Sequence, residues 1–261
     1  MQKVTSKDGT IIAYDRTGKG SGVILIDGAL SYREHSGGRP LAAELSKEFT
    51  VITYDRRGRG ESTDTKPYAM DREIEDIEAL IDEEGGSAYV YGFSSGSVLA
   101  LRAAAKLREK IAKLVLHESP LDVDDNDAKQ SFAEYKKHIT ELLKEGKNSD
   151  AVSFFFADML PAEAIEDMKQ SPDWQLMEAV APTLVYENEV MGDGSIPIEV
   201  AKKVTVPTLV LDGDKSPDFK HEASDTLAEF ILHAQRKTLS GQSTLVSPEV
   251  LAPVLKEFFK E

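Results

Sequence analysis

Short apolar runs rich in β-branched residues alternate along the chain with stretches whose apolar side chains recur every three or four positions. That alternation predicts a mostly parallel sheet covered by helices. Residues 3–6 and 11–14 flank a Lys7-Asp8-Gly9 turn and read as an opening hairpin. The run GVILI at 22–26 is apolar throughout, as a strand buried on both faces requires. Leu41, Leu45 and Phe49, four apart, predict a helix, and residues 51–54 the next strand. A charged helix over 71–84 carries Ile74, Ile77, Leu80 and Ile81 on one face and stops at Gly85-Gly86. Further strands are predicted at 88–91, 114–116, 207–211 and 236–239, with helices at 98–110, 226–232 and near the end around Val250, Val254, Leu255 and Phe258.

Between residues 122 and 203 the pattern is helical only, with the best candidates at 132–143, 151–160 and 162–168 and a weaker one at 174–180. An insertion of about 80 residues is too long for a loop and predicts a small subdomain. The expected organisation is a core of residues 1–121 and 204–261 interrupted by a helical cap, 122–203.

Composition narrows the chemistry. There are no cysteines, which excludes disulfides, thiolate metal sites and a cysteine nucleophile. Neither a metal nor a cofactor is implied. A net charge of −15 opposes phosphate backbones, so nucleic acid is not an expected partner. No run approaches the roughly 20 apolar residues that cross a bilayer, and the first residues are polar, unlike a signal peptide. The expectation is a cytoplasmic protein, with no membrane partner, that acts on a small molecule.

The predicted strand at 88–91 runs into Gly92-Phe93-Ser94-Ser95-Gly96 and then directly into a helix. This is G-x-S-x-G in the strand–turn–helix setting of a nucleophile elbow. The glycines are there for steric reasons, because neighbouring backbone must pass close to a strained turn. Ser94 is thereby lifted above the sheet edge at a helix N-terminus, where partial positive charge favours an anion.

After the preceding strand comes Asp55-Arg56-Arg57-Gly58-Arg59-Gly60-Glu61-Ser62. With the elbow, this D-x-R-G-x-G-x-S run resembles the α/β-hydrolase superfamily, and the resemblance extends over the chain outside the helical insertion. It implies an eight-stranded, mostly parallel sheet flanked by helices, and a structural role for the Asp55–Arg57 loop. It also implies an oxyanion hole built from the amides of Ser95 and of Ala29, in the loop Asp27-Gly28-Ala29-Leu30. Many relatives carry His-Gly where this chain has Asp27-Gly28.

A serine hydroxyl needs a base to take its proton and an acid to orient that base. In the superfamily the acid follows the strand after the nucleophile helix or the next one. The first of these strands ends in His117-Glu118-Ser119-Pro120, and some members use a glutamate there. The second ends in Asp212-Gly213-Asp214-Lys215-Ser216, where the commoner G-x-x-D pattern would put the acid at Ser216. That departure favours Glu118 over Asp212 or Asp214. Relatives read G-Q-T-H before a proline and the closing helix; this chain reads Gly241-Gln242-Ser243-Thr244. By that match Thr244 occupies the histidine position, and threonine is not a base near pH 7.

The other histidines are His35, His117, His138, His221 and His233. His117 adjoins Glu118, but neighbours on a strand face opposite ways. Phe154, Phe155, Phe156, Met159, Trp174 and Met177 are candidates for a pocket lining or, at helical spacing, for the cap's own core. The resemblance implies hydrolysis of a small, apolar carboxylic ester or lactone through Ser94, weakened by the missing imidazole. The alternatives are a non-catalytic binding or regulatory protein, a non-hydrolytic enzyme on the same scaffold, or an introduced change at position 244.

Overall fold

The computed structural model describes every residue except Gly37 and Asp124. The strands β1 (Gln2–Thr5) and β2 (Ile11–Gly18) form the antiparallel hairpin. The remaining strands are β3 (Gly22–Ile26), β4 (Thr50–Tyr54), β5 (Ala88–Phe93), β6 (Ile111–His117), β7 (Thr208–Gly213) and β8 (Ala234–Leu239). They lie side by side in the order β1-β2-β4-β3-β5-β6-β7-β8. β2 meets β4 antiparallel, and every pair beyond is parallel.

Helices α1 (Gly38–Leu45), α2 (Met70–Glu83) and α3 (Ser95–Leu107) connect the first strands. Between β6 and β7 come α4 (Asn126–Lys144), α5 (Asn148–Phe156), α6 (Ala162–Lys169), α7 (Pro172–Val180), α8 (Leu184–Met191) and α9 (Ile198–Ala201). The chain closes with α10 (Asp218–Phe230) and α11 (Pro248–Lys260).

Strand alternation divides the core into two layers. Ile24, Ile26 and Val90 pack with α2, α3 and α10 on one face, while Val23, Leu25 and Tyr91 pack with α1 and α11 on the other. Both faces are covered by helices, which is why these strands read as unbroken apolar runs. Each fully buried Ile or Leu contributes about 1.5–3 kcal/mol of transfer free energy.

Helices α4 to α8 build a third apolar cluster around Val152, Trp174 and Leu184, and it takes in Leu30 from the loop after β3. The helical segment is thus seated on that loop. Among the described residues no helix is long and apolar enough to cross a membrane.

Several elements differ from the sequence expectation, and these bear on the site. Phe49 is buried but lies past the end of α1. α3 begins at Ser95, on the elbow itself, and not at Val98. α8 and α9 had no counterpart in the predicted elements. α10 starts at Asp218, two turns before Thr226, because Pro217 in extended conformation (φ −56°, ψ 147°) leads straight into a helical turn.

Candidate active site

Parallel strands bring their C-terminal ends to one edge, and the candidate residues gather there. Ser94 follows β5 with φ 53° and ψ −129°, a conformation that costs a non-glycine residue on the order of 1–3 kcal/mol. Leu30 after β3 (φ 57°) and Glu118 after β6 (φ 56°) are also in positive-φ conformations. Three of the four non-glycine residues with positive φ among those described therefore sit on loops at this one edge.

The elbow glycines are sterically required. A Cβ on Gly92 would stand 2.4 Å from the Gly96 carbonyl oxygen, and one on Gly96 would stand 2.4 Å from the Ile26 carbonyl oxygen. α3 can start against β3 only because neither position carries a side chain. Gly28 passes over the serine, since a Cβ there would lie 3.1 Å from Ser94 Cβ and 3.5 Å from its Oγ.

Among the described residues, Ser94 Oγ and the amides of Ser95 and Ala29 have no protein hydrogen-bond partner. The first amides of any helix lack an intrahelical acceptor, so Ser95 N–H is left as a donor beside Ser94. Arg59 fixes the Gly28 loop. Its Nη1 donates to the carbonyls of Gly28 (2.8 Å) and Ser31 (3.1 Å), its Nε to Thr183 Oγ1 (3.1 Å), and Nη2 pairs with Glu187 of α8. The loop after β4 thus clamps the loop after β3 to the helical segment.

Its other members are structural. Arg57 is fully buried between Asp76 and Asp8. Asp55 accepts from the amides of Arg33 (2.7 Å) and Glu61 (2.9 Å). Asp27 is held near Ser36 and Gly38, and burial pushes its carboxyl up against the opposing pull of Ser36, Arg59 and Arg56.

Glu118 is fully buried next to the elbow, where Ser94 N–H donates to the His117 carbonyl at 3.0 Å. Its Oε1 accepts from Gly213 N–H (2.8 Å) and Ser216 Oγ (2.6 Å). The Glu118 carboxylate therefore arrives beside the position where the commoner pattern carries an aspartate, but from the neighbouring strand. Burial works to raise the Glu118 carboxyl; the Ser216 hydroxyl, the Lys220 ammonium and the Gly213 amide outweigh it and hold it below the usual carboxylate range. The other two carboxylates are engaged elsewhere. Asp212 pairs with Arg236 and with His221 Nδ1 (2.6 Å), and Asp214 accepts from Gly241 N–H (2.9 Å).

No histidine side chain among the described residues hydrogen-bonds to Ser94. His117 points to the α1/α11 face, where its Nδ1 meets Tyr91 Oη at 2.7 Å, and burial lowers it to about 4, so it is neutral at pH 7. His35 lies 3.8 Å from Asp173, His138 stacks edge-on against Phe154, and His233 is exposed. Thr244 is half-buried and accepts a hydrogen bond from Lys220 Nζ at 2.9 Å. The same ammonium lies 3.1 Å from Glu118 Oε2. Lys220 was absent from the sequence-derived candidates.

Of the helical-segment candidates, Trp174 and Met177 are buried in that segment's own core, the three phenylalanines are half-buried against it, and Met159 is exposed. Trp174 Nε1 donates to Ser149 Oγ (2.9 Å) and Glu178 Oε1 (2.8 Å).

Comparison with known proteins agrees with this architecture. An α/β-hydrolase from Sphaerobacter thermophilus DSM 20745 is 46% identical, with 99% of this chain and 100% of that one covered and a TM-score of 0.89. An esterase from Thermogutta terrifontis (24% identity, 99% and 97% covered, TM-score 0.76) shares the fold. So does an enol-lactonase from Burkholderia xenovorans LB400 (20% identity, 100% of both chains covered, TM-score 0.70). No curated protein matches the chain. Residues 10–253 match the model of the alpha/beta hydrolase family, and the chain belongs to that family.

Proposed function

We propose that the protein is a serine hydrolase acting on a small carboxylic ester or lactone through Ser94, and that it turns over slowly because Thr244 stands where a base is needed. The observation that carries this reading is the strained Ser94, with a free hydroxyl beside the unpaired amides of Ser95 and Ala29. An esterase and an enol-lactonase of the same fold put carboxylic-ester chemistry among the reactions this scaffold hosts. Fold alone does not fix substrate, so the reading rests on the site.

Ser94 Oγ attacks the acyl carbon, a C–O bond forms, and the carbonyl electrons move to an oxyanion facing the amides of Ser95 and Ala29. The serine proton passes to solvent, because Thr244 does not accept it near neutral pH. Collapse expels the alcohol or opens the lactone, and water then cleaves the acyl-enzyme to release the acid and restore Ser94. In this reading residues 1–121 and 204–261 are the catalytic core. Residues 122–203 are a cap, joined to the oxyanion loop through Arg59 and Glu187. The cysteine-free, acidic chain suits the reducing cytoplasm and a small-molecule partner.

Without its base, a serine site retains roughly 10³–10⁴-fold catalysis over water from the oxyanion hole and binding. Hydrolysis of p-nitrophenyl acetate is therefore expected to be slow but measurable, with an acetyl group found on Ser94 by mass spectrometry during turnover and absent from Ser94→Ala. The absence of any acetyl adduct on Ser94 would favour the binding-protein alternative.

A further inference from the structure

An imidazole in this family's arrangement does two things at once. One nitrogen takes the serine proton, and the other donates to the carboxylate that orients the ring. Where Thr244 replaces that histidine, the place next to the carboxylate is filled. Lys220, in the first turn of α10 and only 8% exposed, reaches in with its ammonium 3.1 Å from Glu118 Oε2 and 2.9 Å from Thr244 Oγ1. An ammonium has three donors and no acceptor. It supplies a positive charge beside Glu118 Oε2 while its hydrogen bond goes to Thr244 Oγ1, and it has no lone pair to accept the serine proton.

We infer that Lys220 has taken the imidazole's place as the cationic partner of Glu118, and that it is the positioning residue that determines whether a base at position 244 can be oriented. The inference rests on the reading of Ser94 as nucleophile only for its catalytic consequence; the pairing itself is independent of turnover.

The surroundings favour this assignment. Glu118 Oε1 is already saturated by Gly213 N–H and Ser216 Oγ, so Oε2, buried and without a hydrogen bond among the described residues, is the one oxygen left for an orienting contact, and Lys220 faces it as an ion pair at 3.1 Å. The other ionisable groups nearby do not compete for it. His117, on the same strand end, is turned to Tyr91 and neutral. Asp212 of β7 is paired with Arg236 and His221. The loop before α11 contributes the uncharged Thr244. An imidazole introduced at 244 meets a positive charge already paired with the carboxylate, which disfavours the protonated ring that the reaction requires.

The test reads ionisation directly. The carboxyl carbon of Glu118 is followed by NMR through a pH titration in the unaltered protein and in K220M, with K220Q as a second variant should K220M fail to fold. The imidazole introduced by T244H is titrated with and without K220M. Removing the ammonium is expected to raise the Glu118 midpoint by at least about 1 unit, since burial then meets less opposition. The introduced imidazole is expected to titrate at least about 1 unit higher in T244H/K220M than in T244H, because it gains Glu118 and loses a like charge. A Glu118 midpoint unmoved in K220M, or an imidazole that titrates identically in both backgrounds, would overturn the assignment. Neither readout requires turnover. A protein that pairs as expected but shows no Ser94-dependent hydrolysis would refute the hydrolase reading and leave this one standing.

Discussion

The double variant T244H/K220M is expected to hydrolyse p-nitrophenyl acetate about 100-fold faster than K220M, the usual scale of general-base help. T244H alone should gain less than about 10-fold, because a triad histidine deprived of its orienting acid loses several orders of magnitude. From sequence alone, restoring the histidine is the whole repair. The ion pair between Lys220 and Glu118 changes that expectation, since the ammonium neutralises the carboxylate until the lysine is removed. Steady-state kcat/KM for the four combinations, each with and without Ser94→Ala, measures the coupling. Equal gains in T244H and T244H/K220M would mean that Lys220 does not obstruct the base. No gain in either would mean that position 244 is not where a base works.

Arg56→Met should cost about 3–5 kcal/mol of stability, the range for removing one partner of a buried ion pair. Arg56 is 2% exposed and bidentate to Glu73 (2.7 and 2.8 Å), and its Nη1 lies 2.8 Å from Glu187 of α8. The variant leaves Glu73, itself 2% exposed, with Tyr68 Oη at 2.7 Å as its one remaining hydrogen-bond partner among the described residues. At roughly 2–4 °C per kcal/mol for a chain near this size, the melting temperature should fall by about 10 °C. Adding Glu73→Leu should recover part of the loss, since an apolar pair carries no desolvation penalty. Burial pushes the Glu73 carboxyl up, but Arg56, Arg59 and Tyr68 together hold it below its ordinary value. A depressed carboxylate stabilises fully above its unfolded value of about 4.3 and stops doing so as pH falls through its folded value. The gap between Arg56→Met and the unaltered protein should therefore narrow in acid. Urea unfolding at pH 7 and pH 4 checks both statements; a loss under about 1 kcal/mol at pH 7 would contradict them.

The sheet was legible because its signal is local. β3 coincides with the apolar run at 22–26, and Gly92 and Gly96 announced the elbow through the absence of side chains that the packing forbids. α8 was not legible, because Leu184, Tyr186, Glu187, Val190 and Met191 are buried on more than one side of it, which blurs helical periodicity. The start of α10 was missed for the opposite reason. Its first turns, Asp218-Phe219-Lys220-His221-Glu222, are largely polar and show no apolar stripe until Ala223 and Leu227. Lys220 was lost with that turn, and a lysine there reads as a solvated surface residue. Its pairing with a carboxylate 102 positions away is a product of topology. The clamp of Arg59 on Gly28 and Glu187 was hidden in the same way, since its partners lie 31 and 128 residues distant.

Ser94 is the residue on which the proposed hydrolysis depends most directly. Incubation with a fluorophosphonate, followed by peptide mass spectrometry, asks which side chain in the folded protein reacts as an acyl-type nucleophile. The predicted result is a single slow adduct on the peptide containing Ser94, absent from Ser94→Ala. No adduct on that peptide, or the same labelling of the protein in Ser94→Ala, would contradict it.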